Sequence, residues 1–140
     1  MTILEKLFSI CESANKDYQC IYEEGSMMNV KVDKIKRTES YVYIEEFRSG
    51  AYSKQDYRKS KSYRIQIYFS KFVNFKADAL VRESLRNEIE KEIVLPFMDA
   101  YNKTSFFKRN DTWQFYYPIP RFDANEVSVM LEFNCIENIC

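Results

Sequence analysis

The sequence predicts a single α+β domain with two helices packed on one face of a mostly antiparallel sheet, in the order α-β-β-β-β-α-β-β. Three observations carry this reading. Apolar residues recur at helical spacing in two segments, 2–14 and 76–102, and at alternate positions in the stretches between and after them. The 140 residues fit one hydrophobic core, and a content of 46% hydrophobic and 16% aromatic residues with only two glycines and three prolines excludes a disordered or low-complexity chain. Finally, two helices cannot bury themselves on opposite faces of so much antiparallel sheet, so both are placed on one face. No internal repeat or linker divides residues 1–140.

The first helix is placed over residues 2–14 by Ile3, Leu7, Phe8, Ile10, Cys11 and Ala14, with Thr2 and Glu5 at capping-box spacing, and it ends around Asn15, Lys16 and Asp17. Cys20 and Tyr22 then open a strand, Glu23 to Ser26 reads as a turn, and Met28, Val30 and Val32 alternate with polar residues, which predicts a hairpin or its near equivalent. Residues 41–47 (Tyr-Val-Tyr-Ile-Glu-Glu-Phe) are β-branched and aromatic enough for another strand, and Tyr63, Ile65, Ile67 and Phe69 alternate in a fourth. Between them, residues 48–62 form an extended basic loop or hairpin arm, longer than most hairpin connections.

The second helix places Leu80, Val81, Leu85, Ile89, Ile93, Phe97, Ala100 and Tyr101 on its apolar side. Pro96 lies inside it, so a kink or break is expected near residues 92–96. Two strands follow. Trp113, Phe115 and Tyr117 alternate before Pro118 and Pro120 stop the run, and Val127, Val129, Leu131, Phe133 and Cys135 alternate in the last.

Composition narrows the chemistry. There is no histidine, which removes the commonest general base, every Ser-His-Asp or Cys-His arrangement and the usual zinc and iron ligand. Lys+Arg and Asp+Glu both number 21, so no global attraction to nucleic acid or anionic membrane arises. Charge is nevertheless uneven. Residues 1–47 hold six basic and nine acidic side chains, residues 48–71 seven and one, and residues 72–140 eight and eleven, a dipolar pattern suited to pairing with copies of itself. No apolar run approaches the ~20 residues of a membrane helix, and Glu5 and Lys6 bring charge too early for a signal peptide, so the mature chain is expected to start at Met1 or Thr2. Cys11, Cys20, Cys135 and Cys140 lack CxxC spacing and read as free thiols of a reducing cytoplasm.

The arm supplies the candidate site: Arg48, Lys54, Arg58, Lys59, Lys61 and Arg64 interleave with Tyr52, Tyr57 and Tyr63. These types hold phosphates and stack bases, but with zero net charge and no RNP, GxxG or helix-turn-helix signature, contact with an acidic surface on a neighbouring protein is favoured. Arg48, Tyr52, Lys54, Tyr57, Arg58, Lys59, Lys61 and Arg64 are thus the expected oligomer or partner interface. The acids Glu45, Glu46, Glu83, Glu88, Glu90 and Glu92 read as surface charge, the helical ones at ion-pair spacing from Arg82, Arg86 and Lys91. The aromatic series from Trp113 to Tyr117 reads as core, although a carbohydrate or base platform uses the same residues. Two isolated glycines make no phosphate loop. No catalytic residue, cofactor or metal is expected.

The element order, together with Tyr41-Val42-Tyr43-Ile44-Glu45-Glu46-Phe47, the Tyr63–Phe69 strand, Leu95-Pro96-Phe97 and the closing Val127–Phe133 strand, resembles the tail terminator and tail completion proteins of tailed bacteriophages. The resemblance implies a structural virion protein that forms a homo-oligomeric ring at the head-tail (neck) junction or tail terminus. It would contact tail-tube or neck proteins and assemble in the host bacterial cytoplasm. The aromatic-rich composition and Pro96 depart from that pattern, so a related head-closure ring protein fits equally. The alternative, from another class, is a small cytoplasmic nucleic-acid-binding module using residues 48–64.

Overall fold

The computed structural model describes residues 2–23, 40–52, 61–72, 79–118 and 126–138. Helix α1 (Ile3–Ala14) begins at the expected capping box: the Thr2 hydroxyl accepts the Glu5 N–H at 3.1 Å while Glu5 Oε1 accepts the Thr2 N–H at 3.1 Å. Strands β1 (Tyr18–Glu23), β2 (Ser40–Glu45), β3 (Gly50–Ala51) and β4 (Ser62–Phe72) follow. A helical rod comes next, made of α2 (Ala79–Ile89), a π-helical turn (Glu90–Val94) and α3 (Leu95–Lys103); β5 (Gln114–Tyr116) and β6 (Glu126–Ile136) close the chain. The sheet order is β1-β2-β4-β6-β5, with β3 pairing β4, and every pair is antiparallel except β1 with β2.

That parallel pair was not anticipated. The described partner of β1 is β2 rather than the next alternating segment, and the expected strand at 28–32 lies outside the described residues. A parallel pair needs a crossover of a dozen or more residues, which residues 24–39 are long enough to supply.

Both helical elements cover one face. Leu7, Ile10 and Cys11 of α1 and Ile89, Ile93, Phe97 and Tyr101 of the rod are buried with Val42, Ile44, Ile65, Ile67, Phe69, Val129, Leu131 and Phe133, the same-facing side chains of β2, β4 and β6. Leu80 (76% exposed) and Val81 do not belong to this stripe, and Leu85 is only partly buried. The opposite face carries apolar residues as well. Tyr41, Tyr43, Tyr68, Met130 and Ile21 form a second buried cluster, with the rings of Tyr43 and Tyr68 stacked at 5.9 Å.

The break expected at 92–96 takes the form of the π turn, in which the Leu95 N–H reaches back five residues to the Glu90 carbonyl. Pro96 has no N–H, so the Glu92 carbonyl loses its ordinary helical donor. Asn15, at the end of α1, supplies the missing bond: its side-chain Nδ2 donates to that carbonyl at 3.1 Å. Replacing Asn15 with alanine leaves this half-buried carbonyl unpaired and is expected to cost about 1–3 kcal/mol, read as a lower urea midpoint.

Candidate functional site

At the root of the arm, Gly50 and Ala51 pair with Tyr63 and Ser62, and the Arg64 N–H donates to the Ser49 carbonyl at 2.9 Å. Part of the segment read as loop is therefore a short ladder continuing the β2 side of β4. Gly50 permits it, since a Cβ there would lie 2.1 Å from the Ser62 carbonyl oxygen. Gly50→Ala should push β3 off β4, destabilise the chain by about 1–3 kcal/mol and expose the Arg64 amide, seen as faster hydrogen exchange at that amide than in the wild type.

Of the residues expected at the interface, Arg48 and Tyr52 are exposed and Lys61 is half-buried beside Tyr52. The Lys61 ammonium lies 5.4 Å from the centre of the Tyr52 ring and 4.8 Å from that of Tyr63, at a hollow of about 220 Å³. Contact with Tyr63 raises its pKa and keeps it charged. Lys54, Tyr57, Arg58 and Lys59 lie outside the described residues. Arg64 is drawn into the sheet instead. Its Nε donates to Glu132 at 2.6 Å and its guanidinium reaches Gln114 at 2.9 Å, so it ties β4 to β6 and β5. The arm root thus brings Tyr52 and Lys61 together at one hollow, leaves Arg48 exposed, and employs Arg64 internally.

The second surface lies at the β5 edge, where the sequence reading needs correction. Trp113 is core as expected: its ring packs against Phe133 at 4.6 Å and Tyr101 at 5.2 Å, and its Nε1 donates to the Asn110 carbonyl at 3.1 Å. Phe115 is 61% exposed and Tyr117 44%, with Tyr116 similar. Among the described residues β5 pairs with β6 alone, so nothing described flanks its outer side. The rod leaves a hollow of about 240 Å³ between β5 and α3, lined by Val94, Leu95, Met98, Trp113, Phe115 and Tyr117 with Leu131 beneath. Leu95 at its rim is 52% exposed. The Tyr117 hydroxyl donates to Glu90 at 2.6 Å and its ring carries the Arg86 guanidinium at 5.0 Å, which fixes the ring as one wall. The signal was present in Pro118 and Pro120, since prolines ending a strand mark an edge, and an edge strand is only half covered.

The acids are also placed differently. Lys71 of β4 pairs with Glu88 at 3.1 Å and with Glu92, so a strand lysine holds these helical carboxylates. Glu45, read as surface charge, is buried, as is Glu126 at 3% exposure. Glu126 accepts a hydrogen bond from the Tyr41 hydroxyl beside the Ser70–Ser128 hydroxyl pair, and burial pushes its carboxyl up to about 7. Neither the β5 hollow nor the arm-root hollow reaches it. Between about pH 4.5 and 7 the folded chain keeps a proton on Glu126 that the unfolded chain releases, so this group's contribution to stability is full at low pH and is lost as pH rises through 7, by roughly 1–3 kcal/mol. Glu126→Gln should flatten that slope and raise the melting temperature at pH 8, measured by thermal denaturation across pH.

Among the described residues no group of three or more Cys, Asp or Glu side chains converges to hold a metal ion, and no helix is long and apolar enough to cross a membrane. No protein-family model matches the chain, and no curated protein matches it at a significant level.

Proposed function

We propose that this chain is a structural subunit of a tailed-phage or prophage particle, a non-enzymatic protein that builds a ring at the head-tail junction or tail terminus. The observation that carries the proposal is the exposed apolar patch at the β5 edge, where Leu95, Phe115 and Tyr117 stand outside the core around one hollow. Large exposed aromatics gathered round a hollow are the mark of a protein-protein contact. The arm root, with Tyr52 and Lys61 at its hollow, is a different surface. Two dissimilar surfaces on one subunit suit head-to-tail contacts, which close into rings when the rotation between copies permits.

Sedimentation velocity of the purified chain at 0.1 M and 1 M salt tests this reading. The expected result is a discrete oligomer that weakens at high salt, as the screening length falls from ~10 Å to ~3 Å. The charge-reversed variant Arg58→Glu, Lys59→Glu, Lys61→Glu should remain folded and fail to assemble. A monomer that binds DNA with a steep salt dependence would favour the nucleic-acid reading, for which the Lys61–Tyr52 contact is the supporting feature.

A further inference from the structure

Strand β5 is exposed on both of its faces. Phe115 opposes Leu131, so alternation puts Phe115 and Tyr117 on the helix side of the sheet and Tyr116 on the other side, and all three are exposed. A partner lying on one face would cover only part of this set, whereas a strand added to the outer side of β5 covers all of it. No charged residue lies between Thr112 and Tyr117, so the edge lacks the lysines and carboxylates that ordinarily discourage such pairing. On the β2 side of the sheet the open stretch is β3: β1 pairs with β2 over residues 40–45 only, and Arg48 to Tyr52 beyond it are exposed. We propose, resting on the ring reading above, that the occupant of the β5 edge is a second copy of this chain: the β3 edge of one copy adds to the outer side of β5 of the next, and Tyr52 enters the hollow between β5 and α3.

Direction, face and charge agree with this pairing. β3 is antiparallel to β4, β4 to β6 and β6 to β5, so β3 and β5 run in opposite directions. A copy that continues the sheet in the same orientation therefore meets β5 in an antiparallel pair, the slightly more stable kind. Gly50 opposes Tyr63, which packs against the helix-side core, and alternation returns Tyr52 to that face. The Lys61 ammonium lies over both the Tyr52 and Tyr63 rings, as residues of one face require. Tyr52 and the hollow are thus on the same side of a continuous sheet, and a pairing one residue out of register would turn Tyr52 away from it. At about 240 Å³ the hollow is smaller than the ~300–1,000 Å³ of small-molecule sites and suits one inserted side chain. Tyr52 arrives with the Lys61 ammonium beside it, and the hollow has the Glu90 carboxylate in its wall. Each copy carries one β3 edge and one β5 edge, so the pairing repeats until the ring closes.

Cross-linking tests the pairing. Ala51 opposes Ser62 and Tyr116 opposes Met130, so both stand on the face away from the helices and would lie directly or diagonally opposite one another across the new pair. In a Cys20→Ser, Cys140→Ser background, chains carrying Ala51→Cys and chains carrying Tyr116→Cys are mixed and treated with a bismaleimide of about 8 Å reach. The mixture should give covalent dimers that join tryptic peptides 49–54 and 110–121, and neither chain alone should give any. Tyr116→Cys linking to itself would overturn the proposal in favour of a two-fold β5 pair, and Ala51→Cys linking to itself would overturn it likewise. An oligomer that yields no mixed link would overturn the pairing and leave the ring reading standing, whereas a wild-type chain that sediments only as a monomer would overturn both. Hydrogen exchange on the wild type decides the question should a variant fail to fold or assemble. Amides within 50–52 and within 114–117 should exchange about tenfold more slowly in the oligomer than in the dissociated chain. Protection of β5 without β3, or of β5 only when tail-tube or neck proteins are added, would overturn the pairing in favour of a strand from another protein.

Discussion

Phe97→Ala lowers the unfolding free energy by about 3–5 kcal/mol, the largest loss expected from any single truncation in the chain. Phe97 is fully buried at the start of α3, and its ring touches four other rings: Phe69 of β4 at 5.6 Å, Tyr101 at 6.2 Å, Phe133 of β6 at 6.3 Å and Trp113 at 6.4 Å. Removing it empties the point where rod, sheet and the segment leading to β5 meet. The cavity cannot collapse readily, because the π turn and Pro96 immediately before it fix the backbone, and the surrounding aromatics are rigid. Natural domains of this size hold roughly 5–15 kcal/mol in all, so the loss removes most of the margin of a domain near the lower end of that range. Urea denaturation followed by tryptophan fluorescence checks the value through Trp113, the chain's single tryptophan. A midpoint close to that of the wild type would show that the rod does not pack on the sheet at this point.

The second large effect is on assembly rather than folding. The double substitution Leu95→Asp, Phe115→Asp places two carboxylates in the apolar hollow beside Glu90. Both positions are more than half exposed, so the folded monomer should lose about 1 kcal/mol or less. An interface centred there would lose two anchors worth roughly 2 kcal/mol or more each, and each 1.4 kcal/mol weakens association tenfold, so assembly should fall at least several hundredfold. Native mass spectrometry beside circular dichroism separates the two quantities: unchanged spectrum and melting temperature with a monomeric mass is the expected outcome. A variant that assembles like the wild type would move the contact away from β5.

Much of this fold was legible in the residues themselves, for identifiable reasons. The Thr2–Glu5 capping box, the alternation in β4 and β6 and the position of Pro96 are local signals whose consequences are also local. They led to the start of α1, the two central strands and the interruption of the rod. The parallel pairing of β1 with β2 depends on where a crossover returns, which no alternation pattern encodes. The same holds for Asn15, whose role arises only when α1 is laid against the rod so that its amide meets the carbonyl that Pro96 deprives of a donor. The candidate site divides along the same line. The basic arm was visible as a local excess of charge, yet the capture of Arg64 by Glu132 and Gln114 follows from strand register. The aromatic run 113–117 was visible too, but whether an alternating strand is covered depends on its place in the sheet, and β5 lies at the edge. Leu80, periodic with the core yet exposed, makes the same point from a helix: apolar spacing alone does not say which turns are covered.

Negative-stain electron microscopy of the wild-type chain at about 0.1 M salt is the most direct test of the assembly proposal. Closed rings of uniform diameter, absent from the Leu95→Asp, Phe115→Asp variant, are the predicted result. Fields of monomers for the wild type, unchanged when tail-tube or neck proteins are added, would contradict it.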